Sequence, residues 1–186
     1  MSDLILWKRL KDGEKSALEQ IYRSYAAQLL KYGRKFTRNE QLIEDCVQDL
    51  FIELWRNRAS VGMTDSIQPY LLLSLRRKVI RQLDKSKKLV ADTEPTENDF
   101  EAEISIDQTL IEQEISSERA QQLKAAMENL SKRQKEVIYL KYITGMDYED
   151  ISEVMSLNYQ SARNLVSSAL RALKKQMLSI FWSVAF

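Results

Sequence analysis

Residues 91–118 contain ten aspartates and glutamates and no lysine or arginine, and that run decides how the rest of the chain can fold. High net charge, Pro95, few aromatics and weak periodicity leave it too little apolar surface to offset the entropy of ordering. Folded structure therefore has to form on either side of it. Residues 1–90 carry 18 basic and 11 acidic groups, a net +7, and residues 119–186 carry 10 and 6, a net +4. The overall charge of +1 hides two basic blocks tied by an anionic strap, and 186 residues leave room for two small domains. The patternless stretch runs from Ser86 to about Gln113, with the linker set at 89–115. It is either a solvated tether or a polyanion that lies in a basic channel of a partner or shields DNA-binding surfaces.

Both blocks read as helical. The chain has only 4 Gly and 2 Pro, too few for short strands joined by tight turns. Leu18, Ile21, Tyr22, Tyr25, Leu29 and Tyr32 recur at three and four, one stripe of a helix. After a break at residues 37–39, Leu42, Ile43, Cys46, Val47, Leu50, Phe51, Leu54 and Trp55 repeat the pattern. A third apolar run, Tyr70 to Leu75, follows Pro69, whose fixed φ suits a first helical turn. It passes into RRKVIRQLDKSKK, a dense positive charge suited to phosphate neutralisation or simply to a solvated basic face. The expected fold is all-α: two small helical domains joined by a flexible acidic linker.

The second block is more specific. Ser131 with Gln134 three residues later is a capping box, Val137 to Tyr142 continue that helix, and Gly145 can stop it in the left-handed conformation. Asp147 can cap a short helix holding Tyr148, Ile151, Val154 and Met155, and Ser156-Leu157-Asn158 turns into YQSARNLVSSALRALKKQM. In that last helix Ala162, Leu165, Val166, Ala169, Leu170 and Leu173 form the inward stripe, while Tyr159, Gln160, Ser161, Arg163, Asn164 and Ser167 project outward. A short helix, a tight turn and a longer helix with polar groups at its start make a helix-turn-helix, or else a plain helical hairpin. Gln and Asn match adenine edges, Arg matches guanine, and Ser and helix amides reach phosphates.

Other functions are disfavoured. The chain has no histidine and one thiol, Cys46, so it lacks the commonest general acid/base, imidazole metal ligands, a disulfide framework and a zinc finger. There is no Gly-rich phosphate loop, and the acids lie along a helix exterior or in the linker rather than at metal spacing. No catalytic residue, metal or cofactor site and no small-molecule substrate is expected. Residues 1–11 lack the apolar core of a secretory signal, which points to the cytoplasm. The most apolar stretch, Met177 to Phe186, has ten residues where a membrane-spanning helix needs about 20, so membrane insertion is not expected.

These features together resemble the extracytoplasmic-function (ECF) sigma factors, small bacterial RNA polymerase subunits of the sigma-70 family. The resemblance rests on ALEQIYRSYAAQLLKYGRKF, then IEDCVQDLFIELW with its D-x-x-Q-D-x-F-x-x-x-W pattern, then PYLLLSLRRKVIRQLDKSKK, and the block LSKRQ to RALKK. These segments stand in the family's order over about two thirds of the chain.

The resemblance implies a division of labour. Residues 1–88 would bind core polymerase and the −10 element, 116–177 would read the −35 element, and 178–186 would form an apolar tail. Asp45, Gln48, Asp49, Ile52 and Glu53 would dock on the coiled-coil clamp of polymerase's largest subunit, supported by Phe51 and Trp55. Arg76, Arg77, Lys78, Arg81 and Lys85 would contact the −10 element and the opened strand, and the loop Ala59 to Gln68 would receive an extruded base. Tyr159, Gln160, Ser161, Arg163, Asn164 and Ser167 would read the −35 element, with Arg171, Lys174 and Lys175 near the backbone. An anti-sigma factor is an implied partner, and the linker would thread toward the polymerase active-site and RNA-exit channel.

Several positions depart from the family pattern. Arg77 and Arg81 stand where an Asn and an acid are frequent, so base preference at the −10 element does not transfer. Ser156 stands where Gly is frequent in the turn, and Leu165, Ser168 and Leu170 replace residues that are often basic. The tail LSIFWSVAF is an apolar excess that packs on its own domain or meets a partner. A stand-alone helix-turn-helix regulator would share the C-terminal pattern, but has no use for the Asp45 to Trp55 motif.

Overall fold

The computed structural model describes the backbone of residues 2–90 and 117–184 and the side chains of residues 2–86 and 121–177. Every regular element among the described residues is helical. The chain separates into two compact units, Met1–Asp99 and Phe100–Phe186.

Among its described residues the first unit has four helices: α1 (Asp3–Lys11), α2 (Lys15–Gly33), α3 (Glu40–Asn57) and α4 (Ile67–Val90). Its core is built from Trp7, Leu10, Ile21, Leu29, Tyr32, Ile43, Ile67, Leu71, Leu72 and Leu75, all fully buried. Asn39 caps α3, its Oδ1 accepting from the Leu42 amide at 3.1 Å, a position where Asn satisfies an otherwise free helix-start amide. Gly33 lets α2 and α3 close: a Cβ there would lie 2.5 Å from Ile43 Cγ2.

The inward stripe of α2 differs from the one expected. Ala17, Ile21, Ala26, Leu29 and Tyr32 are buried, whereas Tyr22 is exposed and Leu18 and Tyr25 are half-buried. Small alanines face the neighbouring helices because close helix packing leaves no room for rings. The larger side chains are displaced to the flank, where the Tyr22 ring meets Phe51 of α3 edge-on at 4.9 Å.

The second unit has α5 (Ser117–Glu128), α6 (Lys132–Ile138), a π-helical segment (Tyr139–Ile143), α7 (Tyr148–Val154) and α8 (Tyr159–Val184). The capping box forms: Ser131 Oγ accepts from the Gln134 amide at 3.2 Å, and Gln134 Oε1 accepts from the Ser131 amide at 3.0 Å. The widened turn, closed by the Thr144 amide on the Tyr139 carbonyl at 3.1 Å, leaves Tyr142 and Ile143 exposed. Gly145 then ends the segment at φ +74°, the left-handed region that costs glycine nothing.

Val137, Leu140, Ile151, Val154, Ala162, Val166 and Ala169 form the core of this unit. Two members of the expected α8 stripe sit off it: Leu170 is exposed and Leu165 half-buried. Ala162, Val166, Ala169 and Leu173 alone satisfy a narrow four-three-four seam, and the two leucines fall on its margins. Helix α8 continues to Val184, so the backbone of the expected tail extends the last helix through that residue. Residues 86–90, expected to begin the patternless stretch, instead continue α4 to Val90; the rest of the acidic linker and the tail's side chains lie outside the described residues. No helix among the described residues is long and apolar enough to cross a membrane.

Candidate functional site

Helix α3 presents two opposed faces. Ile43, Cys46, Val47, Leu50 and Leu54 are buried, and the remaining face carries Asp45, Gln48, Asp49, Ile52 and Glu53, all exposed. Burial raises the pKa of the Cys46 thiol, with Lys78 opposing, which marks a packing residue rather than a reactive one. Beside the acidic stripe, Leu18, Phe51, Ile52, Trp55 and Arg56 line an open groove of about 420 Å³. Phe51 is buried beneath it, and Ile52 is 54% exposed at its rim. The surface therefore joins carboxylates to an apolar trough, a combination suited to a partner with basic and apolar residues side by side.

The stripe is not uniformly free. Gln41 Nε2 donates to Asp45 Oδ1 at 2.9 Å, and Glu53 Oε1 meets Lys78 Nζ of α4 at 2.5 Å. That ion pair braces α3 against α4 and commits one cation of the expected −10 set to a protein partner.

The basic face of α4 is correspondingly narrower than the sequence suggested. Arg77, Arg81 and Lys85 recur every four residues and are exposed, so they lie along one side of the helix. Arg76 is only 9% exposed, which corrects its expected place on the open surface: position 76 falls next to Leu72, Leu75 and Val79 on the core-facing side. Lys78 is half-buried and held by Glu53.

Ahead of α4 runs the loop of residues 58–66, shorter than the expected Ala59 to Gln68 because Ile67 and Gln68 already belong to the first turn of α4, and here the structure adds a part the sequence did not reveal. Helix α1 holds this loop. Trp7 Nε1 donates to the Gly62 carbonyl at 2.8 Å, Lys11 Nζ donates to the carbonyls of Ala59 and Val61, and Asp3 Oδ2 accepts from the Ile67 amide at 2.9 Å. Asp3 thereby caps the start of α4 from a distant part of the chain. The Trp7 ring also meets Tyr70 edge-on at 4.9 Å. Burial and the adjacent Asp3 push the Tyr25 hydroxyl up to about 12. Gly62, Met63 and Asp65 remain exposed at the loop's tip. The apolar residues Leu4, Ile5, Trp7 and Leu10 in residues 1–11 carry no sign of this role, and only Trp7 and Leu10 of them are buried.

The helix-turn-helix of the second unit is built from local caps. Asp147 Oδ1 accepts from the Asp150 amide at 2.8 Å at the start of α7, and burial followed by the charge of Asp147 raises the pKa of the Asp150 carboxyl. Asn158 Oδ1 accepts from the Ser161 amide at 2.7 Å at the start of α8. Between them Ser156 adopts φ +52°, the conformation for which glycine is ordinarily needed. Tyr159, Gln160, Arg163, Asn164 and Ser167 are exposed and Ser161 is half-buried.

These residues are partly ordered by one another. Gln160 Nε2 donates to Asn164 Oδ1 at 3.0 Å, the Arg163 guanidinium lies 5.8 Å from the Tyr159 ring, and Tyr159 meets Tyr148 of α7 edge-on at 6.1 Å. Ser168, which departs from a basic family pattern, accepts from Gln134 Nε2 at 3.1 Å and so ties α8 to α6. Arg171, Lys174 and Lys175 are exposed further along.

Comparison with known proteins places these features. The model of Sigma-70 region 2 matches residues 21–89, and that of Sigma-70, region 4 matches residues 120–173. The chain is 19% identical over 170 residues to the ECF RNA polymerase sigma factor SigK of Mycobacterium ulcerans (strain Agy99), covering 91% of this chain and 90% of that protein. It is 24% identical over 164 residues to the RNA polymerase sigma factor YlaC of Bacillus subtilis (strain 168), covering 88% and 93%. Its fold is similar to that of CnrH, solved in complex with the cytosolic domain of CnrY, with TM-score 0.63, 18% identity and coverage of 96% and 99%. It is also similar to the sigma factor RpoE of Bartonella quintana, solved with the anti-sigma factor NepR, with TM-score 0.59, 21% identity and coverage of 86% and 95%. The chain belongs to the sigma-70 family, as a sigma factor of the ECF type. Helix α1 precedes the region 2 match.

Proposed function

We propose that this protein binds core RNA polymerase, directs it to promoters with −35 and −10 elements, and assists the opening of the DNA, with no catalysis of its own and acting in the cytoplasm. The observation that carries the reading is the α3 surface. A helix that buries one full face still exposes Asp45, Gln48, Asp49, Ile52 and Glu53 beside an apolar groove, in a chain that also carries an exposed polar helix start in a second, separately folded unit. A stand-alone DNA-binding regulator would have no use for the first surface.

In this reading residues 1–88 dock on the largest-subunit clamp and engage the −10 element, 89–115 form the linker, 116–177 read the −35 element, and 178–186 are the tail. The carboxylates of α3 orient and accelerate docking, and Ile52 with the groove supplies most of the affinity. Arg77, Arg81 and Lys85 neutralise phosphates of the opened strand, and the 58–66 loop takes an extruded base, which offsets part of the cost of unstacking. Tyr159, Gln160, Arg163, Asn164 and Ser167 meet the −35 element in the major groove, with Ser161 near the phosphates. An anti-sigma factor is the further protein partner of this reading, and the structures of CnrH and RpoE with their own bound partners support it by analogy.

The test is co-purification with core polymerase. Asp45→Lys with Asp49→Lys should reduce binding by at least tenfold while helical content by circular dichroism is retained. Glu53 is left intact because its ion pair with Lys78 would confound docking with α3–α4 packing. Wild-type affinity in the double variant would remove the docking assignment.

A further inference from the structure

We propose that α1 is the positioning element of the base-receiving loop, with Trp7 and Lys11 as positioning residues for promoter recognition. The inference rests on the reading of the 58–66 loop given above and adds what holds that loop in register.

Three side chains on one face of α1, spaced at four residues, reach the connection between α3 and α4 across 48 to 64 positions of sequence. Lys11 takes the carbonyls of Ala59 and Val61 at the loop's near side. Trp7 takes the carbonyl of Gly62 in the middle. Asp3 takes the Ile67 amide where the loop becomes α4. The loop is thus fixed through its backbone along its length while Gly62, Met63 and Asp65 stay open to solvent at its tip.

A site that distinguishes one base from another has to be held to within about 0.5 Å, and loops achieve this less readily than helices. Anchoring loop carbonyls to a helix supplies that precision without occupying the tip. Trp7 in particular does two separable things. Its ring is fully buried and packs on Tyr70, while its single N–H reaches a carbonyl of a loop whose tip is exposed. Phenylalanine would keep most of the first role and lose the second.

The experiment uses the full chain bound to core polymerase and single-stranded −10 oligonucleotides changed one base at a time, read by fluorescence anisotropy. Wild type should prefer one base at the extruded position. Trp7→Phe and Lys11→Met should each lower that preference ratio by roughly tenfold, as expected when a positioning contact is displaced. Affinity for core polymerase and for a −35 duplex should stay within about twofold of wild type, since only the loop's register has changed. Lys11→Met reaches the same loop through a half-buried side chain, so it decides the matter if Trp7→Phe fails to fold. Wild-type ratios in the folded variants would overturn the inference, as would a proportional loss for every base and for core polymerase together. A wild type without preference at any position would instead sink the reading of the loop, and the inference with it.

Discussion

The two units hold their candidate DNA-facing parts by different means. In the first, the loop before α4 is pinned by side chains 48 to 64 residues away in sequence. In the second, the helix-turn-helix is shaped by caps that span only three residues, Asp147 with Asp150 and Asn158 with Ser161, and the helix before it, α6, starts on a third, Ser131 with Gln134. Long-range pinning makes the loop hostage to the core of its unit, because the tryptophan that orients it is also a core residue. Local capping spreads the same task over several contacts, each worth about 1 kcal/mol.

The sharpest way to break this contrast is Trp7→Ala. Emptying a fully buried indole site should destabilise the first unit by about 3–5 kcal/mol, with the transition of the second unit in urea left in place. A single common shift of both transitions would show that the units do not melt independently. Ser131→Ala is the local counterpart: it should cost about 1 kcal/mol, confined to the second unit and visible as a lower midpoint at unchanged slope. A loss as large as that for Trp7→Ala would erase the distinction. The smallest effect, and of opposite sign, belongs to Ser156→Gly. Relieving the left-handed residue in the turn should raise stability by about 0.5–1 kcal/mol, the steric cost of a side chain at φ +52° less glycine's greater entropy loss. A destabilised variant would mean that the serine makes a compensating contact in the turn.

The same contrast explains what could be read from the sequence. The capping box, Gly145 at its helix end, the Asp147 cap and the exposed start of α8 all obey rules that span three or four residues, and each is visible in a window of that width. The α3 surface was legible because a buried face at three-four spacing fixes the opposite face as well. The role of α1 was not, because nothing in residues 3–11 states which distant carbonyls they will meet. The burial of Arg76 was missed for a related reason: charge argues for the surface, and only the packed neighbours Leu72, Leu75 and Val79 turn position 76 inward. On α2, apolar periodicity located the helix but not its inner edge, since alanines facing a tight contact carry less hydrophobic signal than the tyrosines they displace.

The contact between Glu53 and Lys78 has a consequence for ionic strength. A cation already neutralised by a carboxylate releases no counterion from a strand that arrives later. Among the described side chains of α4, the arginines and lysine that can displace condensed counterions are Arg77, Arg81 and Lys85, so in the proposed reading this part of the helix would grip single-stranded DNA more gently, and with a shallower dependence on salt, than the five basic residues from 76 to 85 imply.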